Sequence, residues 1–345
     1  MKATYSKYIL DFKRPSGTSR GILTKKETWF IFISDGARTG VGECGILRGL
    51  SVDDREDYEE KLKFTCENIA KGRSWLLNDL KEFPSIQFGI EQAFSSLESS
   101  HPFLLFPSAF TRGESAIKIN GLIWMGDPEF MQAQIEEKLR EGYDCIKMKI
   151  GAIQFEEEIK LLTFLRKRFP ADQIEIRVDA NGAFKPTEAL HKLKILSTLD
   201  LHSIEQPIRQ GQIALMRELC KSTPLPIALD EELIGVFDVT KKEQLLQMIK
   251  PHYIILKPSL VGGFKGTDEW IQIAESLGID WWITSALESN VGLNAIAQYT
   301  FKKGIHLPQG LGTGSLYTNN FESPLLVSGG YLSYQTDKKW NFNLI

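Results

Sequence analysis

Polar residues recur through the middle of this chain with a nearly constant period. Lys149 closes the strand-like segment 145–150. After it Asp179, Glu205, Asp230, Lys257 and Ser285 each close a short apolar run. The successive steps are 30, 26, 25, 27 and 28 residues. One strand, one helix and two short loops need about that length. A polar side chain at the C-terminal end of each strand is the pattern of a parallel β/α barrel. Its strand ends share one rim, and chemistry is done on that rim.

The first segment of the series carries more than one such residue. Read as a strand, Cys145 to Ile150 alternates, with Ile146, Met148 and Ile150 on one face and Lys147 and Lys149 on the other. The barrel is expected to begin at 116–123. Helices are expected at 127–141, 156–169, 186–196, 213–220, 241–249, 266–277 and 292–301, with a last barrel segment at 304–309. The preceding third lacks this alternation. Strands at 5–12 and 27–34 and helices at 53–71 and 84–99 make it an α+β unit. The expected divisions are 1–112, 113–315 and a tail, 316–345. The tail is expected to pack back on the first unit, because otherwise Tyr331, Tyr334, Trp340 and Phe342 would be exposed.

Composition narrows the function. With 42% hydrophobic and 25% charged residues, the chain reads as an ordinary globular protein. A net charge of −3 leaves no basic face for nucleic acid. No apolar run reaches the roughly 20 residues that span a bilayer, and the first residues do not read as a signal peptide. The cysteines at 44, 66, 145 and 220 form no C-x-x-C pair, so neither a zinc site nor a disulfide framework is expected. A reducing cytoplasm is the simplest setting.

Asp179, Glu205 and Asp230 would converge from three consecutive strands. Carboxylates that close repel, and at least one would keep its proton unless a cation sits among them. A hard divalent ion answers this: Mg²⁺, with Mn²⁺ as an acceptable substitute. No histidine or cysteine stands at an equivalent position, which argues against zinc. Glu231 and Glu232 adjoin Asp230, and spacing alone leaves open which of the three would touch the ion. By strand order Lys147 and Lys149 flank the acids on one side and Lys257 on the other. A lysine serves as a base near neutral pH when a neighbouring ammonium and a divalent ion lower its pKa. The chemistry this suggests is removal of a proton beside a carboxylate, with the metal steadying the enediolate.

These residues also carry a resemblance. Lys147-Met-Lys149, Val178-Asp-Ala-Asn-Gly182, Glu205-Gln-Pro207, Leu229-Asp-Glu231, Lys257-Pro258 and Ser285-Ala-Leu-Glu-Ser289 resemble the enolase superfamily. The paired lysines with a lone lysine on the sixth strand resemble its muconate-lactonising subgroup. Asn120-Gly-Leu-Ile-Trp-Met125, the segment 285–293 and Gly310-Leu-Gly-Thr-Gly314 look most like the o-succinylbenzoate synthases of menaquinone biosynthesis. The resemblance implies a modified TIM (β/α)7β barrel with an α+β capping domain formed by the N-terminal region and the C-terminal tail. It implies a lyase that dehydrates 2-succinyl-6-hydroxy-2,4-cyclohexadiene-1-carboxylate. In it Lys149 is the base, Lys147 tunes it and contacts the carboxylate, and Lys257 faces the other side of the ring. Asp179, Glu205 and Asp230 would hold Mg²⁺, with Asn181 beside them. Ser285, Leu287, Ser289, Gly312, Thr313 and Gly314 would line the substrate pocket, glycine allowing close backbone approach. Arg48 and Leu50 would belong to a lid that excludes water.

Two departures set related subgroups apart. Acid-sugar dehydratases use a late barrel histidine. Here His252 and His306 fall at strand starts, away from the rim, and all five histidines (101, 191, 202, 252, 306) read as solvent or packing residues. Dipeptide epimerases carry an Asp-x-Asp where this chain has Gly312-Thr-Gly314, which disfavours a cationic substrate end. An N-succinyl amino acid racemase or a related epimerase or cycloisomerase would use the same lysines. A barrel that has lost catalysis would be expected to have lost one of the six charged residues. The expected partner is a small carboxylate; oligomeric state is not legible.

Overall fold

The computed structural model describes residues 1–18, 21–304 and 307–344. The chain opens with an antiparallel sheet of β1 (Lys2–Thr18), β2 (Gly21–Ser34) and β3 (Thr39–Gly45), in that order. Helices α1 (Tyr58–Glu67), α2 (Arg73–Asp79) and α3 (Pro84–Glu98) pack on it. Trp29, Ile31 and Ile33 alternate toward them and form a core with Leu62, Leu76, Ile86 and Ile90. Both expected strands exist, and the ribbon of β1 and β2 runs well past residue 12, with a bulge between Asp11 and Ser16. The helix expected at 53–71 starts only at Tyr58. Asp53 is held out of it because its carboxylate accepts from Ser85 N at 2.9 Å and Ser85 Oγ at 2.6 Å, which caps α3.

The expected strand 116–123 splits into β4 (Ile117–Lys118) and β5 (Gly121–Ile123). Then β and α alternate: α4 (Pro128–Arg140), β6 (Cys145–Lys149), α5 (Phe155–Arg168), β7 (Glu175–Asp179), α6 (Pro186–Ser197) and β8 (Ser203–Glu205). They continue as α7 (Ile213–Ser222), β9 (Ile227–Leu229), α8 (Val239–Ile249), β10 (Tyr253–Leu256), α9 (Pro258–Val261), α10 (Gly263–Ser276), β11 (Asp280–Ile283) and α11 (Asn290–Lys302). The strands from β5 to β11 form one parallel sheet in sequence order. Its two edges are joined by residues 309 and 310. Gln309 bridges Ile119 and Gly310 bridges Thr284, both in parallel. That short segment serves as the eighth stave of a barrel. Of the expected last strand, 304–309, residues 305 and 306 (including His306) lie outside the described residues.

Strand alternation sorts the barrel into two cores. Ile146, Met148, Ile176, Val178 and Ile204 face the helices in one large apolar cluster. The other set faces the lumen, whose floor is Ala228, Ile255 and Trp282. There the Arg177 guanidinium lies 4.2 Å over the Trp282 ring and donates to Pro308 O at 3.0 Å. The charged residues stand above this plug. Of two tail strands, β12 (Leu325–Ser328) pairs with β13 (Tyr331–Tyr334) and β13 pairs with β4, while Phe321, Trp340 and Phe342 pack against Phe30 and Phe103. The tail thus serves both the barrel and the first sheet.

Two buried carboxylates join the N-terminal unit to the barrel, each at the start of a barrel helix. Glu43 on β3 accepts from Ser289 N at 2.9 Å and Gly292 N at 2.8 Å at the start of α11. Glu91 on α3 accepts from Phe264 N and from Lys265 N at 3.0 Å at the start of α10. Gly263, at φ +72°, lets that approach happen, since a Cβ there would meet the Glu91 oxygen at 2.1 Å. Burial pushes the Glu91 carboxyl up from 4.5 to about 7. A carboxyl with a raised folded-state pKa costs stability as pH climbs from the unfolded value to the folded one. Relative to Glu91→Gln, the wild type is therefore expected to lose about 3 kcal/mol between pH 4.5 and 7. Urea denaturation of both proteins at pH about 5 and about 8 checks this; a difference independent of pH contradicts it.

Candidate active site

The parallel register places the charges side by side. Lys149 pairs with Asp179, and Asp179 with Glu205, on neighbouring strands. Lys147 Nζ lies 2.7 Å from Glu205 Oε2 and 3.4 Å from Asp179 Oδ2. Lys149 Nζ lies 2.9 Å from Asp179 Oδ2 and also donates to Asn181 Oδ1 at 2.7 Å. Lys257 forms a close ion pair with Asp230. In an eight-staved barrel β6 and β10 are four steps apart. The paired lysines and the lone lysine therefore stand on opposite walls.

The charged groups are buried or nearly so, and their mutual charges decide their protonation. Burial opposes charge on Asp179, yet Lys149 and Lys147 hold its carboxyl well below the usual range. Burial likewise opposes charge on Lys147, but Glu205 and Asp179 keep it protonated, and Asp230 and Glu205 do the same for Lys257. Glu205 is the exception. Burial and then the neighbouring Asp179 charge push it up to about 8. Its Oε1 is buried with no hydrogen-bond partner among the described residues. A buried carboxylate with one oxygen unused is what a cation would relieve. The donor set, all oxygen and all from adjacent strands, suits a hard divalent ion. Among the described residues no three His, Cys, Asp or Glu side chains already form a cage. The lysines hold the inward carboxylate oxygens, and an ion would compete with them for those atoms.

The neighbouring acids resolve by contact. Asn181 donates to Glu231 Oε1 at 3.0 Å, so Glu231 stays near the cluster. Glu232 turns away, accepting from Gln206 Nε2 at 3.2 Å and Gly211 N at 2.9 Å. Gln206, fully buried, stands in the motif Glu205-Gln-Pro207, where pattern reading assigned it no role. Its Oε1 takes Asp230 N at 3.2 Å and Glu232 N at 3.3 Å, tying the end of β9 to β8. Both Asn181 and Gln206 hold left-handed backbone, at φ +43° and +40°. Two such non-glycine residues just past adjacent strand ends mark a backbone set by its surroundings.

Above the charges opens a cavity of about 450 Å³. Lys147, Lys149, Asp179, Asn181 and Lys257 line its base. Ser285, Leu287, Gly312 and Thr313 line one wall, and Leu47, Arg48 and Leu50 reach it from the N-terminal unit. That wall is braced by Glu288, which accepts from Ser259 Oγ at 2.6 Å and Ser285 Oγ at 2.5 Å, while Thr313 Oγ1 reaches Ser285 Oγ at 2.9 Å. The loop bearing Arg48 is tethered, with Arg48 paired to Glu27 and Asp54 and Gly49 N bonded to Asp54 Oδ2 at 2.8 Å. Sequence reasoning gave no role of its own to Glu288, which braces the wall, or to Leu122, Trp124, Phe130 and the ribbon residues 13–16, which line the cavity.

Two expected pocket residues stand elsewhere. Gly314 packs beside Asn290 and Leu293. Ser289 is buried at the N-cap of α11, where its hydroxyl donates to Glu43 and accepts from Val291 N at 3.1 Å. Capping and the joint to Glu43 account for it. Of the described histidines, His202 stacks 4.9 Å from Tyr253, and His252 accepts from Ile227 N at 3.2 Å, both below the rim. Ser289→Ala is expected to cost about 1–2 kcal/mol of stability in urea denaturation with KM unchanged. A raised KM at full stability would put Ser289 back in the pocket.

Comparison with known proteins agrees with this architecture. Residues 130–338 match the family described as enolase C-terminal domain-like, and residues 2–97 match the MenC N-terminal domain. An o-succinylbenzoate synthase of Desulfotalea psychrophila is 47% identical, with 96% of this chain and 98% of that protein covered. The crystal structure of MenC from the same organism superposes with a TM-score of 0.86 at 44% identity, covering 96% of this chain and 99% of the other. The L-Ala-D/L-Glu epimerase of Bacillus subtilis shares the fold, with a TM-score of 0.82 at 20% identity over 97% of this chain and 96% of its own.

Proposed function

Because this chain belongs to the enolase superfamily, and within it to the o-succinylbenzoate synthases, we propose a division of labour among its buried charges. The activity is that of a lyase, the dehydration of 2-succinyl-6-hydroxy-2,4-cyclohexadiene-1-carboxylate to 2-succinylbenzoate in menaquinone biosynthesis. The observation that carries the assignment of roles is the placement of Lys149 and Lys257 on opposite walls of one cavity, each paired to a different carboxylate.

Lys149 removes the α-proton from the ring carbon that bears the carboxylate. The C–H electron pair moves into the ring system toward that carboxylate. The hydroxyl group then leaves from the same face with the proton that Lys149 returns to it, so water departs and the ring becomes aromatic. Asn181 and Asp179 hold the Lys149 amine in place through the 2.7 Å and 2.9 Å contacts. Lys147 contacts the substrate carboxylate, and Lys257 faces the opposite side of the ring, where its charge favours the electron-rich π-system. Asp179, Glu205 and Asp230 would hold Mg²⁺, for which Mn²⁺ can substitute. The bound ion supplies positive charge where negative charge builds on the substrate carboxylate. Leu47 and Leu50 close the cap side and keep water from the reacting centre. The four cysteines are free thiols, which suits work in a reducing cytoplasm.

A continuous absorbance assay with the cyclohexadiene tests the reaction. Loss of the diene signal with Mg²⁺, stopped by excess chelator, is expected; a folded protein that turns nothing over sinks the assignment. Lys149→Ala should lower kcat at least about a thousandfold while the melting temperature and the Mg²⁺ titration stay as in wild type. Appreciable residual turnover would remove Lys149 as the base. Asp230→Asn should weaken Mg²⁺ binding by more than about tenfold in calorimetry. An unchanged titration would move that ligand to Glu231.

A further inference from the structure

The cavity is strongly cationic. Seven of its lining residues carry positive charge (Lys13, Arg14, Arg48, Lys138, Lys147, Lys149 and Lys257), against two acids, Glu137 and Asp179. Five of the seven cations are already spoken for. Lys147, Lys149 and Lys257 pair with the strand-end acids, Arg48 with Glu27 and Asp54, and Lys138 with Glu141. Lys13 and Arg14 are the two with no acid partner among the described residues.

The fold places these two side chains with some care. They lie on the ribbon of β1 and β2, inside the irregularity that separates the register at Asp11 from that at Ser16. A bulge frees residues from the ladder and re-aims them, and bulges concentrate beside sites. The backbone on each side is fastened. Lys13 N donates to Leu316 O at 2.8 Å, and Phe12 bridges Tyr317. On the far side Gly17 bridges Met125, so closely that a Cβ on Gly17 would meet Met125 O at 2.6 Å. The ribbon is thus pinned to the barrel on two sides of Lys13 and Arg14, and the cavity lies between.

We propose that Lys13 and Arg14 form a second carboxylate subsite, which takes the distal carboxylate at the end of the substrate's four-carbon succinyl arm. The proposal rests on the activity assigned above. That substrate is a dianion. Its ring carboxylate belongs with Lys147 and the acid cluster on the barrel side. Its other carboxylate needs a counter-charge, and the cavity offers two unpaired cations on the cap side. An arginine and a lysine side by side can give a carboxylate both a forked pair of donors and a point charge. The same pair would disfavour a substrate whose arm ends in an amine.

The test pairs a change in the protein with a change in the ligand. Binding of 2-succinylbenzoate, and of its analogue with the distal carboxylate converted to a carboxamide, is measured by calorimetry in the presence of Mg²⁺. Wild type is expected to prefer the dicarboxylate by at least about tenfold. The double variant Lys13→Ala/Arg14→Ala is expected to bind both alike. Its KM should rise by about tenfold with kcat within about twofold of wild type, and Lys13→Arg/Arg14→Lys should restore most of the preference. A double variant that still discriminates between the two ligands, or that keeps the wild-type KM, overturns the subsite while leaving the dehydratase intact. Wild type that neither turns over the diene nor binds 2-succinylbenzoate overturns the activity and the subsite together.

Discussion

Three carboxylates and three ammonium groups are buried together at the mouth of one barrel, and much of the structure exists to hold them there. Taking a charge out of water costs several kcal/mol, and only good partners offset it. Here the partners come from neighbouring strands, so the parallel register itself supplies them. A slip of one residue in β6 would send Lys147 and Lys149 to the helix side and put Ile146 and Met148 in the lumen. The apolar helix-facing core and the ionic lumen therefore enforce the same register. The cluster is only partly satisfied on its own: one Glu205 oxygen has no hydrogen-bond partner among the described residues, and burial together with the Asp179 charge pushes its carboxyl upward. A site left unsatisfied by its own residues is poised for what it is meant to bind.

Around the cluster, buried polar joints do the positioning. Gln206 ties β8 to the end of β9, and Glu288 ties Ser259 and Ser285 together beneath the pocket wall. Glu43 and Glu91 reach from the N-terminal unit to the starts of α11 and α10. Each joint joins residues on different elements through hydrogen bonds that have no water to fall back on, so each is costly to break. The cap is therefore fastened to the barrel by buried groups at two separate points. The stretch of cap over the cavity, 47–50, carries its own tethers to Asp54 and Ser51.

The barrel and its charged rim were legible because each strand contributes one residue at its end and the interval between strands is nearly constant. The lysine pair was legible because strand alternation alone separates Lys147 and Lys149 from their apolar neighbours. Residues whose role comes from partners distant in sequence were not. Glu43 meets Ser289 across 246 residues and Glu91 meets Phe264 across 173, and no local pattern announces either pairing. Ser289 misled for the same reason: it sits in a segment that does line the pocket, yet its hydroxyl serves the helix start. The strand expected at 5–12 stopped short of the ribbon's real length, because an irregularity between Asp11 and Ser16 breaks the alternation before the ladder resumes, and residues 13–16 within that stretch line the cavity.

The tail that returns to the first sheet bears on how such a chain comes into being. Tyr8 OH bonds Asn319 O across 311 residues, and Asp11 N bonds the Asn319 side chain across 308. Lys13 N meets Leu316 O. Contacts this distant along the chain close late, since the whole intervening loop must be ordered first. During synthesis the N-terminal ribbon must wait, its edge unpaired, until the barrel between has been made. The roof over the active site is thus among the last things to form. A chain with its barrel already closed but residues 316–319 not yet seated would still present an open mouth, which gives this short segment a say in when the enzyme becomes competent.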